Sequence, residues 1–142
     1  MKCKTLIAVV LIITAVCFMF TNHVEAQSGK PASEKLVIIW SSADREVALN
    51  MVFMYANNSK RFGWWDDITL VVWGPSAKLL AEDEMLQVHI KNMIDAGVVV
   101  KACKLCSDHY GVSYKLENLG IIVKYMKELT DYIKEGRNIL TF

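Results

Sequence analysis

The sequence predicts an α/β fold, a three-layer αβα sandwich built on a mainly parallel five-stranded sheet. Three observations predict it. Short apolar runs rich in β-branched residues recur along the chain, at residues 36–40, 68–73 and 98–100, and unbroken runs of this kind suit parallel strands covered on both faces. The stretches between them place apolar residues at helical spacing behind capping residues, so strand and helix alternate. The 142-residue chain contains no internal repeat, and its length suits one domain whose core needs no disulfide staples.

Residues 1–26 have the anatomy of a secretory signal: Lys2 and Lys4, an apolar run over residues 6–20, then Val24, Glu25 and Ala26 at cleavage spacing. The run is shorter than the roughly 20 residues a bilayer-spanning helix needs. Cleavage before Gln27 is therefore expected, with an uncleaved anchor as the alternative. Loss of the signal takes Lys plus Arg from 16 to 14 and Asp plus Glu from 15 to 14. A formally neutral mature chain argues against nucleic acid as a partner and leaves contact with membrane to the signal segment alone, because both surfaces select a basic excess. Of four cysteines, Cys103 and Cys106 remain. The expected location is outside the cytoplasm, in a bacterial periplasm.

Residues 27–35, with Ser28, Gly29, Pro31 and Ser33, read as a flexible lead-in, and the α/β domain covers residues 36–142. The strand at 36–40 is followed by Ser41 or Ser42 as helix cap, with Asp44 and Glu46 in the first turn. Val47, Ala48, Met51, Val52, Met54 and Tyr55 then make a wide apolar helix face, whose methionines are gap-filling core residues rather than a metal box. Trp64 and Trp65 lie in a turn, as a lid over the core edge or a subunit contact. After the strand at 68–73, Gly74 and Pro75 turn the chain into a helix that breaks near Glu82, Asp83 and Glu84. Gly97 precedes the strand at 98–100. A short helical turn at 116–119, a strand at 121–123, a helix at 127–135 stopped by Gly136 and a strand at 139–142 complete the chain.

Chemistry concentrates where the third strand ends. Ligands of parallel sheets gather at the carboxyl ends of strands, here Ser41 and Ser42, Gly74 and Pro75, and Cys103. Cys103 falls where the strand stops and Cys106 one helical turn on, so the two sulfurs can face each other. A helix start favours the thiolate, and Lys101 and Lys104 act in the same sense against Asp108; an ionised, accessible Cys103 is the expectation. His109 reads as a surface residue at the edge of this site, and His89 as a boundary residue. Glycine loops for nucleotides and a Gly-x-Ser-x-Gly elbow are missing, and no cofactor is expected. A thioredoxin-like oxidoreductase lacks the proline it needs after the motif. A zinc site using Cys103, Cys106 and His109 lacks a fourth ligand.

The order strand, Cys103, short helix, Gly111-Val112, together with the corner Trp73-Gly74-Pro75 and the ending Ile139-Leu140-Thr141-Phe142, resembles the DsrE/DsrF-like sulfur-relay family over nearly all of the mature chain. The resemblance implies a flavodoxin- or Rossmann-like winding. It further implies a sulfurtransferase-type carrier in which Cys103 holds sulfur as a persulfide between donor and acceptor proteins, and a homo-oligomer, trimeric or hexameric. Cys106 is additional to the single-cysteine relay pattern and would serve as a second or resolving thiol. Two alternatives stay open: a non-catalytic oligomeric binding protein stiffened by a Cys103–Cys106 disulfide, and a thiol–disulfide oxidoreductase.

Overall fold

The computed structural model describes residues 31–142; the expected signal segment, 1–26, lies outside the described residues. Strands β1 (Lys35–Trp40), β2 (Asp67–Val72), β3 (Val99–Cys103), β4 (Ile122–Lys124) and β5 (Asn138–Thr141) form one all-parallel sheet in the order β4-β3-β2-β1-β5. Their register aligns the strand ends on one edge: Trp40 lies opposite Val72, Val72 opposite Ala102, and Cys103 opposite Lys124. The lead-in is regular from Ala32, where a single 3-10 turn, Ala32–Glu34, is held to the domain by Asn138 donating to the Ser33 carbonyl at 2.9 Å.

The helices are α1 over residues 45–61, α2 (Pro75–Glu82), α3 (Glu84–Asp95), α4 (Lys104–His109), α5 (Ser113–Glu117) and α6 (Lys127–Lys134). Successive strands from β1 to β4 step in one direction, and right-handed crossovers then return on one face. There α1, α2, α3 and α5 bury Leu36, Ile38 and Trp40, Ile68, Leu70 and Val72, and Val100 and Ala102 in the main core. Trp40 and Phe53 meet edge to face, with centroids 5.2 Å apart. Only the connection from β4 back to β5 crosses to the other face. Among the described residues it leaves α6 alone there, over a small cluster of Val37, Ile39, Val71 and Tyr132. Coverage of every strand on both faces is therefore not what forms: Val99 of the interior strand β3 is 38% and Ile122 of the edge strand β4 49% exposed, because one short helix cannot roof five strands.

Two local expectations also change. Asp44, not Ser41 or Ser42, caps α1, accepting from the Glu46 and Val47 amides at 2.8 and 3.3 Å. The chain leaves β1 extended past the serines; Ser41 instead donates to the Phe142 carbonyl at 2.9 Å and Ser42 accepts from the Asp44 amide at 3.0 Å. Within α1, an α-helical turn (Arg45–Val47) runs into a π-helical segment (Ala48–Phe53) and back to α-helix (Met54–Arg61). The wider turn changes which residues face the sheet: Ala48, Val52, Phe53 and Ala56 are buried, whereas Met51 and Met54 are exposed. The break between α2 and α3 forms as expected, with the Asp83 carboxylate capping α3 through the Leu86 amide at 3.0 Å.

On the α6 face, Glu128 accepts from Lys101 at 2.8 Å and Lys124 at 2.6 Å, and Lys101 also donates to Tyr132 Oη at 2.6 Å. Burial alone would raise the Glu128 pKa, but the two lysines outweigh it and hold the carboxyl at about 2, against an ordinary 4.5. A depressed pKa stabilises the fold above the unfolded value and loses that contribution as pH falls through the folded one. Stability should thus decline between pH 4.5 and 2, and Glu128→Gln should flatten that acid limb while costing on the order of 1–2 kcal/mol near neutrality, after allowance for solvent screening. Urea titrations across pH check this; an unchanged acid limb in the variant would assign the decline elsewhere. The facing of α1 is checked the same way: Phe53→Ala should cost about 3–5 kcal/mol, and Met51→Ala no more than about 0.5 kcal/mol.

Candidate active site

Cys103 belongs to two elements at once. It is the last residue of β3 and the N-cap of α4, where its sulfur accepts from the Cys106 amide at 3.4 Å. The six-residue α4 is anchored at its start by buried Ser107, whose hydroxyl donates to the Cys103 carbonyl at 2.9 Å, and at its end by the Val112 amide, which donates to the Ser107 carbonyl at 2.8 Å. One helical turn brings Cys106 back over Cys103, and the two free thiols lie 2.8 Å apart, sulfur to sulfur.

The neighbouring strand end supplies the facing wall. Gly74 stands at φ 71°, ψ −134°, a region where a Cβ is strained, so the corner requires glycine. Buried Ser76 donates to the Trp40 carbonyl at 2.6 Å and accepts from the Trp73 amide at 3.1 Å. That bridge ties the ends of β1 and β2 together and fixes the corner opposite α4. Gly74, Leu105, Cys106, His109 and Tyr110 enclose an open cavity of about 350 Å³. A second cavity of about 250 Å³ is walled by Ala43, Pro75, Lys78, Leu79, Glu82 and again Tyr110.

Burial separates the two thiols. Cys103 is 5% exposed, while Cys106 is half-buried and forms part of the first cavity's wall. Burial pushes the Cys103 thiol pKa up and the hydrogen bond with Cys106 adds to it; the Cys106 and Leu105 amides pull it down and are outweighed. The expectation of an exposed, easily ionised Cys103 is therefore overturned. The physical reason is burial, and the lysines expected to counter it are engaged by acidic partners. Lys101 is engaged beneath the sheet by Glu128 and Tyr132, and Lys104 is paired with Asp108 at 2.8 Å, which also accepts from the Ser113 hydroxyl at 2.6 Å.

Of the residues expected at the site, Gly74 and His109 share the first cavity with Cys106, and Pro75 lines the second. Ser41 and Ser42 are used in backbone bonds at the sheet edge, and Lys104 in its pair with Asp108. Leu105 and Tyr110 were not expected. Tyr110 lies four residues after Cys106, so helical spacing placed it on the same side. Among the described residues no three His, Cys, Asp or Glu side chains gather into a metal site, so Cys103, Cys106 and His109 do not form one.

Known proteins share this architecture. BT1422, a conserved protein of unknown function from Bacteroides thetaiotaomicron, is 41% identical and superposes with a TM-score of 0.77, the match covering 80% of this chain and 99% of that one. The crystal structure of the ychN protein from E. coli, 22% identical with a TM-score of 0.60, has the same fold over 76% of this chain and 98% of its own. No curated protein matches the chain. The sequence profile of the DsrE/DsrF-like family matches residues 34–142, which include all five strands and both thiols, and the chain belongs to that family.

Proposed function

We propose that this protein is an exported sulfur carrier of the sulfurtransferase type, in which the Cys103–Cys106 pair handles sulfane sulfur as a persulfide. One observation carries the reading: the Cys106 sulfur stands in the wall of an open cavity with the Cys103 sulfur 2.8 Å behind it. Membership of the DsrE/DsrF-like family supports a sulfur-relay role.

Sulfur is taken first at Cys106, rather than at Cys103 as the sequence resemblance implies. The Cys106 thiolate attacks the outer sulfur of a donor persulfide R–S–SH. The donor S–S bond breaks, R–S⁻ leaves with the electron pair and takes up the proton Cys106 gave, and Cys106 becomes Cys–S–SH. Cys103 then has two possible targets. Attack on the outer sulfur moves it to Cys103 and restores the Cys106 thiol; attack on the inner sulfur forms the Cys103–Cys106 disulfide and expels hydrosulfide. Either needs the Cys103 thiolate. Because burial keeps Cys103 protonated near neutrality, a loaded Cys106 is held rather than emptied. The uncovered strand residues Val99, Ile122 and Ile139 support the homo-oligomer that this reading includes. A second reading rests on the same close sulfurs: a disulfide that only stiffens the cavity wall of a binding protein.

Mass spectrometry of the reduced protein after incubation with inorganic polysulfide should find one added sulfur. Cys106→Ser should abolish loading. Cys103→Ser should load normally and lose the slow release of sulfide, whose rate in the unaltered protein should climb with alkaline pH, as a raised thiol pKa requires. Normal loading of Cys106→Ser would return the accepting role to Cys103; no loading of the reduced unaltered protein would favour the disulfide-stiffened binder.

A further inference from the structure

The two cavities described above adjoin. Gly74 lines one and Pro75, the next residue, lines the other, while Tyr110 contributes to both. They therefore lie side by side, two lobes of a surface groove that share Tyr110 as a wall. The thiol lobe, about 350 Å³, stands at the lower end of the volumes of ligand sites, and the second adds about 250 Å³. Joined, they fall within the roughly 300–1,000 Å³ of small-molecule sites.

The lobes differ in chemistry. At the thiol end the groove offers the Cys106 sulfur, apolar Leu105, the Gly74 backbone and the His109 imidazole. Past Tyr110 it offers the apolar surfaces of Ala43, Pro75 and Leu79 and then two opposite charges, Lys78 and Glu82, one turn apart on α2. Their Nζ and Oε1 stand 4.0 Å apart, with side chains 57% and 64% exposed. A pair held this loosely and this wet contributes little to the fold, and both heads keep hydrogen-bonding capacity for a ligand.

Resting on the sulfur-carrier reading, we infer that the sulfur donor is a low-molecular-weight persulfide bearing an amino-acid zwitterion. Its carboxylate meets Lys78, its ammonium meets Glu82, its methylene crosses Tyr110, and its sulfane sulfur reaches Cys106. A cysteine residue within a protein donor lacks the free ammonium and carboxylate, and inorganic polysulfide fills only the thiol lobe. The transfer breaks the donor S–S bond, leaves the sulfane sulfur on Cys106 and releases the amino acid as its thiol, so no further oxidant or reductant is needed.

The test measures second-order loading rates of the reduced full chain with cysteine persulfide, N-acetylcysteine persulfide and inorganic polysulfide, in the unaltered protein and in Lys78→Ala, Glu82→Ala and the exchanged pair Lys78→Glu with Glu82→Lys. Both positions are exposed, and circular dichroism confirms that the variants fold. Each single variant should load from cysteine persulfide about tenfold more slowly and from polysulfide at the unaltered rate. The exchanged pair should recover part of the loss, and the N-acetylated donor should be indifferent to Glu82→Ala. Equal rates in all variants, or equal losses for both donors, overturn the assignment of the charged lobe. Failure of the unaltered protein to load from any donor overturns the carrier reading on which it rests.

Discussion

The junction of β3 and α4 constrains everything around it, because Cys103 is at once the end of a buried strand and the cap of a six-residue helix. A helix that short has little intrinsic stability. It persists because Ser107 is bonded to the Cys103 carbonyl and Val112 to the Ser107 carbonyl, and because Leu116 just beyond is sunk in the main core. With both ends fixed, the position of Cys106 follows from helical geometry alone. The facing corner is fixed as firmly by Ser76, which joins the ends of β1 and β2. The cavity wall is thus a product of backbone bonds among strand ends, and its side chains are carried by rigid elements.

This arrangement separates the two thiols in a way opposite to the sequence reading, which made Cys103 the accessible one. The sulfur nearer the core is shielded and protonated; the one a turn later meets the cavity. Cations are abundant nearby, yet each has an acidic partner: Lys101 and Lys124 share Glu128, and Lys104 holds Asp108. At Cys103 burial therefore outweighs the amide dipoles of the helix start.

Much of this was legible in the chain. Continuous apolar runs marked four of the strands within a residue or two, Gly74 and Pro75 marked a corner that only glycine followed by a first-turn proline can make, and Asp83 marked the break between α2 and α3. The spacing of Cys103 and Cys106 foretold that their sulfurs meet. The ionisation of Cys103 was not legible, since it is set first by burial, and how deeply the last residue of a strand is covered depends on packing between distant segments that local spacing does not reveal. Met51 and Met54 misled because the π-helical segment of α1 breaks the spacing on which face assignment relies. Ser41 and Ser42 are good capping residue types, but the backbone stays extended until Asp44, and capping follows conformation before composition. Val99 read as buried because unbroken apolar runs do not reveal how many helices will be available to cover each side.

That α6 is the lone helix on the second face among the described residues has a dynamic consequence. The main core draws on α1, α2, α3 and α5, whereas the smaller cluster has Tyr132 of α6 as its one buried helical side chain, flanked by Met126 and Leu129. Regions with few apolar contacts open at lower free energy than the global transition. Peeling of α6 would free β5 and the cluster over Val37 and Ile39 while β2, β3 and α4 stay assembled, so the molecule has a loose flank and a firm one, with its two thiols seated on the firm side.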